Sequence, residues 1–188
     1  MSPKRVLMLL ENNAYPGDSR VRQEAVALAA AGHQVTVVAP RGAGQPSREV
    51  LDGVSVARFR PPPEGDGTLA YLIEYGWALV AMLATSLRVA VRPGFDVVHA
   101  HNPPDLLVLI GALYKLVGKR FVYDHHDFAP EMYDVLFDGE RSTVARLLRR
   151  FERLSTRIAD VVVTTNETAR RRHIDRSPSK STSYISGA

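Results

Sequence analysis

The sequence predicts an α/β fold, a mostly parallel sheet of about six to seven strands with helices on both faces. Two observations carry this expectation. The first is an apolar run, Arg5 to Leu10 (RVLMLL), then an amphipathic stretch with Val21, Ala25, Leu28 and Ala29 on one stripe, then a second apolar run, Gln34 to Ala39. Continuous apolar runs suit strands covered on both faces, and strand, helix and strand in that order make a βαβ unit with a right-handed crossover. The second is that Phe95 to His101 and Phe121 to Asp124 are also short apolar runs, and each passes into histidines and then a proline stop, at Pro103 and Pro130. In open α/β sheets the ligand crevice lies outside the carboxyl ends of the strands. Four of the chain's six histidines, His99, His101, His125 and His126, are therefore expected on the floor of one site.

The elements between these runs can be placed in order. Glu11 to Asp18 is a polar loop, with Asp18 or Ser19 the expected N-cap of the first helix, which ends at Gly32. Pro40 to Gly53 has loop composition, Val54 to Phe59 alternates as a strand does, and Pro61 to Gly67 is a proline- and glycine-rich connector. Thr68 to Val91 is one long helix. Its charge-free run, Tyr75 to Leu87, is shorter than the ~20 residues a bilayer span needs, so the helix is expected to be buried in protein. Asp105 to Val117, with Asp105 as N-cap, is the next helix. Ser142 to Ile158 is another, burying Val144, Leu147, Leu148, Phe151, Leu154 and Ile158 and showing Arg146, Arg149, Arg150, Arg153 and Arg157 on its other side. Val161 to Thr164 is a strand, Asn166 to Arg172 a short helix, and Ser183 to Ser186 begins a last strand.

Composition narrows the function. The chain has 188 residues, 45% hydrophobic and 23% charged, the values of an ordinary globular protein and enough for one domain. A net charge of +4 permits an anionic partner without requiring one. The absence of cysteine excludes disulfides, thiolate metal sites and a cysteine nucleophile. Met1 to Lys4 precedes the first strand directly, with no room for a signal peptide, so a cytoplasmic location is expected. The first loop holds a single glycine, Gly17, not the G-x-G-x-x-G of a dinucleotide site, so neither NAD nor FAD is expected, and no cofactor at all. No aromatic residues interleave with the basic ones, which argues against nucleic acid. The arginine face of Ser142 to Arg157 is either a solvated face or a contact for an anionic membrane surface.

Strand alternation puts His99 and His101 on one side, where two imidazoles can chelate a metal, bind a polyhydroxylated ligand, or be satisfied within a core. His125 and His126 then face opposite ways. His126, flanked by Asp127, is the better candidate for the crevice, and Asp127 either fixes its tautomer or caps the turn before Pro130. Asn12, Asn13 and Asp18 can bind sugar or polyol hydroxyls, and they are equally turn and cap formers.

Four stretches resemble one family. The segment from Asp18 to Ala25 and then Leu28 to Val38 is similar to the first βαβ unit of family 4-type glycosyltransferases with the GT-B fold. Asp96 to His101, Val122 to Phe128 and Ala159 to Thr164 resemble later signatures of that family, in the same order and spacing. The resemblance implies a Rossmann-like N-terminal domain that holds the acceptor, paired in the family with a C-terminal domain that binds a nucleotide-diphosphate sugar. Transfer in the family is typically metal-independent and retains anomeric configuration. It implies that residues 1–188 are the N-terminal domain alone, that the donor-binding domain is absent, and that this chain cannot complete the reaction by itself. His126 corresponds to the family's cleft histidine that reaches the donor sugar, and His101, Asn13 and Asp18 fall where acceptor contacts are expected. Gly17 corresponds to a loop near the donor phosphates that often carries two adjacent glycines; here there is one. The acceptor is expected to be a carbohydrate, a lipid-linked molecule or a small molecule, selected by loops such as Arg41 to Gly53 and Pro61 to Gly67. Two other classes stay open. One is a metal-dependent hydrolase using His99, His101 and His126. The other is a non-catalytic module that binds carbohydrate or a lipid surface.

Overall fold

A computed structural model describes residues 2–61, 68–103, 105–125, 143–164 and 183–186. Eight strands and four α-helices lie among them. The chain divides into two compact units, Met1–Val98 and His99–Ala188. The fold is α/β with a mostly parallel, Rossmann-like strand arrangement, as the sequence predicts.

In the first unit the order is β1 (Arg5–Leu9), α1 (Ser19–Ala30), β2 (Gln34–Pro40), β3 (Arg48–Leu51), β4 (Val54–Phe59) and α2 (Thr68–Val91). The strands lie in the order β3-β4-β2-β1, with β1–β2 and β2–β4 parallel and β3–β4 antiparallel. Residues of one parity, Val6, Met8, Leu10, Val35, Val37 and Ala39, form a core with Val21 and Ala25 of α1. Residues of the other parity, Leu7, Leu9, Val38, Ala57 and Phe59, are also buried, and α2 packs on β2 and β4. Both faces are covered, which is why these strands read as unbroken apolar runs. Arg5 and Asp96 fasten β1 to the end of the unit: Arg5 N–H and Nη2 donate to the two Asp96 carboxylate oxygens, each at 3.0 Å, and Asp96 N–H donates to Arg5 O at 2.8 Å.

The stretch expected as loop, Pro40 to Gly53, contains a strand, and this corrects that expectation. Asp52 and Gly53 have φ of 50° and 79°, the left-handed pair that a tight two-residue hairpin turn requires. The Asp-Gly dipeptide was the signal, and it folds Arg48–Leu51 back on β4 with Leu51 opposite Val54. Strand β3 alternates exposed and half-buried positions and begins with two charged residues, Arg48 and Glu49, so it lacks the apolar run that identifies its neighbours.

The second unit takes β5 (Val97–His101) at the unit boundary, a 3-10 turn (Asp105–Leu107), α3 (Val108–Leu116), β6 (Arg120–His125), α4 (Thr143–Ile158), β7 (Val161–Thr164) and β8 (Ser183–Ser186). The strand order is β5-β6-β7-β8, with β6–β7 and β7–β8 parallel. Asp105 is not the N-cap of α3: it opens the 3-10 turn, and Leu107 occupies the cap position without a side-chain bond. A clamp joins α3, β6 and β7, in which Asp160 accepts from Lys115 Nζ at 2.7 Å and from Phe121 N–H at 2.8 Å. Burial alone would raise the Asp160 carboxyl. The bonds from Lys115 and Phe121 and the charges of Lys115 and Arg120 outweigh it and hold the group below the usual range.

Helix α4 departs from its expected orientation. Leu154, expected inside, is 38% exposed, whereas Glu152, Ser155 and Thr156 are buried. The hydroxyls explain the choice. Ser155 Oγ donates to Phe151 O at 2.9 Å and Thr156 Oγ1 to Arg153 O at 3.0 Å, so small residues satisfied by their own helix can face α3, β6 and the 3-10 turn. Arg150, Arg153 and Arg157 are exposed, as expected. Among the described residues no helix is long and apolar enough to cross a membrane. The short helix expected at Asn166 to Arg172 lies outside the described residues.

Close approach of α3 to β6 depends on Gly111. A Cβ there would lie 2.6 Å from the ring of Phe121, which is completely buried and has no room to yield. Gly111→Ala is therefore expected to lower stability by ~1–2 kcal/mol in chemical denaturation, overpacking outweighing the helix propensity gained. Unchanged or increased stability would show that α3 can move off the strand.

Candidate functional site

The carboxyl ends of β5 and β6 bring together polar side chains in the second unit. His99 and His101 point to the same side, with ring centroids 4.2 Å apart. His101 Nδ1 is 2.9 Å from Asp124 Oδ2, and both side chains are fully enclosed. With the carboxylate as acceptor, Nδ1 carries the proton and Nε2 is the basic nitrogen. Asn102 N–H donates to Asp124 O at 3.0 Å, which holds the end of β5 against β6. His125 is also buried, but its ring lies 5.5 Å from that of Tyr123. His126 and Asp127 lie outside the described residues.

Behind the histidines sits a second polar group. The Tyr123 hydroxyl donates a very short hydrogen bond to Asp105 Oδ1, which also receives Asn102 Nδ2 at 3.4 Å. Burial, followed by the negative charge of Asp105, pushes the Tyr123 hydroxyl well above its ordinary range, so it remains a donor. Asp105 thus braces the strand ends where cap chemistry was expected. Neither Asp124 nor Tyr123 was singled out from sequence. For Asp124 the signal was present: it stands two residues before His126, the spacing that strand alternation assigns to one side.

Within the first unit, the β1–α1 loop brings Asn13, Gly17 and Asp18 together. Asp18 caps α1, its Oδ1 accepting from Arg20 N–H and Val21 N–H at 3.1 Å each. Gly17 N–H donates to Ala14 O at 2.7 Å, and a Cβ on Gly17 would fall 2.9 Å from that oxygen and 3.1 Å from Asn13 Oδ1. Glycine is required here by proximity. Asn13 is exposed, whereas Tyr15 is fully buried, and its backbone oxygen accepts from Arg58 Nη2 at 2.9 Å and Gln45 Nε2 at 3.0 Å. Glu11, which sequence inspection passed over as loop, stands two residues past the end of β1 and is half-buried. Burial, then the negative charge of Glu74, pushes its carboxyl up to about 7, so it exchanges a proton at neutral pH. A carboxylate one step beyond an apolar run was the legible clue.

As chemistry, the second unit offers a buried imidazole with its tautomer fixed, and the first a loop of hydrogen-bonding groups beside a titrating carboxyl. His99, His101 and Asp124 also present donor atoms within 4.8 Å of one another, a spacing open to a cation. Residues 18–182 match the glycosyl transferase 4-like domain. No curated protein matches the chain. Among solved structures, sucrose-phosphate synthase from Thermosynechococcus elongatus superimposes with a TM-score of 0.73 at 18% identity, over 97% of this chain and 48% of that one. CalG4, the calicheamicin glycosyltransferase, gives 0.61 at 14% identity, over 100% and 52%. The catalytic domain of starch synthase IV from Arabidopsis thaliana gives 0.57 at 13%, over 99% and 52%. The chain spans about half the length of these glycosyltransferases, and identities this low speak for the fold alone. With most of its length matched by the family model and its α/β fold that of GT-B enzymes, the chain belongs to the glycosyl transferase 4-like family.

Proposed function

We propose that this chain is the acceptor-binding half of a retaining glycosyltransferase that moves a sugar from a nucleotide-diphosphate sugar to an acceptor hydroxyl. The observation that carries the proposal is the family match over residues 18–182. In this reading the donor-binding half is a separate stretch of polypeptide, and residues 1–188 do not turn over alone. The proposal is supported by the match of this chain to about half of each neighbouring enzyme.

Roles follow from chemistry. His126, by its correspondence to the family's cleft histidine, donates a hydrogen bond that favours the developing oxocarbenium ion, with Asp127 orienting it. His101, held by Asp124, presents a fixed tautomer to acceptor hydroxyls. Asn13 is exposed for acceptor contact, Gly17 lets the loop close tightly on Ala14 O and Asn13, and Asp18 acts by capping the helix that follows this loop. No metal takes part. A metal-dependent hydrolase is favoured by one observation, the mutual proximity of His99, His101 and Asp124. Against it, His101 Nδ1 and Asp124 Oδ2 lie 2.9 Å apart, so one donor atom of each group is already engaged without a cation. The proposal includes a cytoplasmic location with peripheral attachment to anionic membrane, through the exposed Arg150, Arg153 and Arg157 beside Leu154.

Three measurements test this. In a polypeptide that joins this chain to a donor-binding half, His126→Ala is expected to lower sugar transfer by about 10²–10³-fold while the protein still folds; unaltered turnover refutes the assignment. Elemental analysis of protein purified without chelators is expected to find no stoichiometric zinc, manganese or iron, and one equivalent would revive the hydrolase. Co-sedimentation with phosphatidylglycerol vesicles is expected at low ionic strength and to fade with salt. Its absence at low salt removes the membrane contact.

A further inference from the structure

The first unit contains a cleft of about 780 Å³, lined in part by the loop from Arg41 that the sequence marks as one selecting the acceptor. Its place follows from strand register. Pro40 and Phe59 are paired at the end of the parallel β2–β4 ladder, and Arg41 N–H donates to Phe59 O at 2.9 Å. Arg41 and Arg60 therefore leave adjacent strands side by side, and both line the cleft. Both are exposed, and neither is ion-paired with a described residue. Among the described residues none that lines the cleft is acidic. Two guanidinium groups on one cleft, without a counter-charge among the described residues, favour an anion between them.

The walls are built in advance. Trp77 of α2 donates its indole N–H to Arg60 O at 3.0 Å, which fixes the ring edge and leaves the ring as one side of the cleft. The opposing loop is tied by Gln45, whose Oε1 accepts from Gly42 N–H at 2.9 Å and whose own N–H donates to Gly42 O at 3.2 Å. Gln45 Nε2 and the enclosed Arg58 then anchor this loop to Tyr15 O, and Arg58 Nη1 donates to Pro46 O at 3.1 Å. A loop so tied loses little freedom on binding.

We propose that this cleft binds an oxyanion of the acceptor, a phosphate or carboxylate carried beside a planar or apolar ring, with Arg41 and Arg60 forking the oxyanion and Trp77 stacking on the ring. The word acceptor rests on the transferase reading above; the ligand chemistry does not. A neutral polyol would leave both arginines uncompensated, so the acceptor class is anionic.

Trp77 is the chain's single tryptophan, so its emission reports this cleft alone. The 188-residue chain is titrated with phenyl phosphate, phenol and uridine diphosphate, with circular dichroism checking that each variant is folded. Phenyl phosphate is expected to give a saturable change, about tenfold weaker in Arg41→Gln and in Arg60→Gln, with phenol giving none at the same concentrations. An unaltered titration in the Arg41→Gln/Arg60→Gln double variant, or an equal response to phenol, overturns the oxyanion site. Tighter binding of uridine diphosphate than of phenyl phosphate overturns its assignment to the acceptor and makes it a donor site. Binding is read here without turnover. A joined protein that transfers no sugar while the chain titrates as expected refutes only the transferase; transfer without titration refutes only the cleft.

Discussion

Coverage of the strands on both faces is the constraint from which the rest of this structure follows. A strand whose two faces are buried has no place for an unpaired polar side chain along its length, because burial without a partner costs several kcal/mol by the roughly 2–7 kcal/mol scale of transfer. Polar chemistry is pushed to the strand ends. In the first unit Glu11 stands just past β1, Arg41 past β2 and Arg60 past β4. In the second, His101 and Asn102 close β5, and Asp124 and His125 close β6.

The two units resolve this crowding differently. The second pairs polar groups with one another: His101 with Asp124, Tyr123 with Asp105, and Asp105 again with Asn102. Such a network is rigid, and its value is to hold an imidazole in one tautomer and orientation. The first leaves two arginines on one cleft without an ion pair among its described residues, and it holds the Glu11 carboxyl neutral up to about pH 7. Paired groups hold position; guanidinium groups without a counter-charge are open to a ligand. The overall charge of +4 conveys neither, since it averages over groups whose local surroundings differ.

What was legible in the sequence follows the same division. Apolar runs and helical stripes depend on near neighbours, and β1, β2, β4, α2 and β7 fall where those patterns put them. Strand β3 was missed because an edge strand has no apolar run to announce it, although Asp52-Gly53 marked its turn. The orientation of α4 was misjudged because Ser155 and Thr156 satisfy themselves within the helix, a local bond that hydrophobic periodicity does not register. His99 and His101 on one side was a matter of parity within a strand. Their partner Asp124 comes from another strand, and the pairing requires a register that no single segment encodes. Asp18 likewise has the capping role its position suggested, while the brace formed by Asp105 needed knowledge of where Tyr123 would lie.

One carbonyl links the recognition elements of the first unit. Tyr15 O belongs to the loop that carries Asn13, Gly17 and Asp18, yet it accepts from Gln45, which shapes one wall of the arginine cleft, and from Arg58, which is fully enclosed and also pairs with Glu49 of β3 at 2.5 Å. Two donors converging on one buried acceptor cannot both be kept if either loop shifts, since separation and angle tolerate only a few tenths of an ångström and some tens of degrees before a hydrogen bond weakens. The β1–α1 loop and the cleft wall therefore move together or not at all. The shape of the arginine cleft and the placement of the first loop are one mechanical unit, and a substitution that alters the turn around Gln45 is felt at Asn13 and Gly17 although it touches neither.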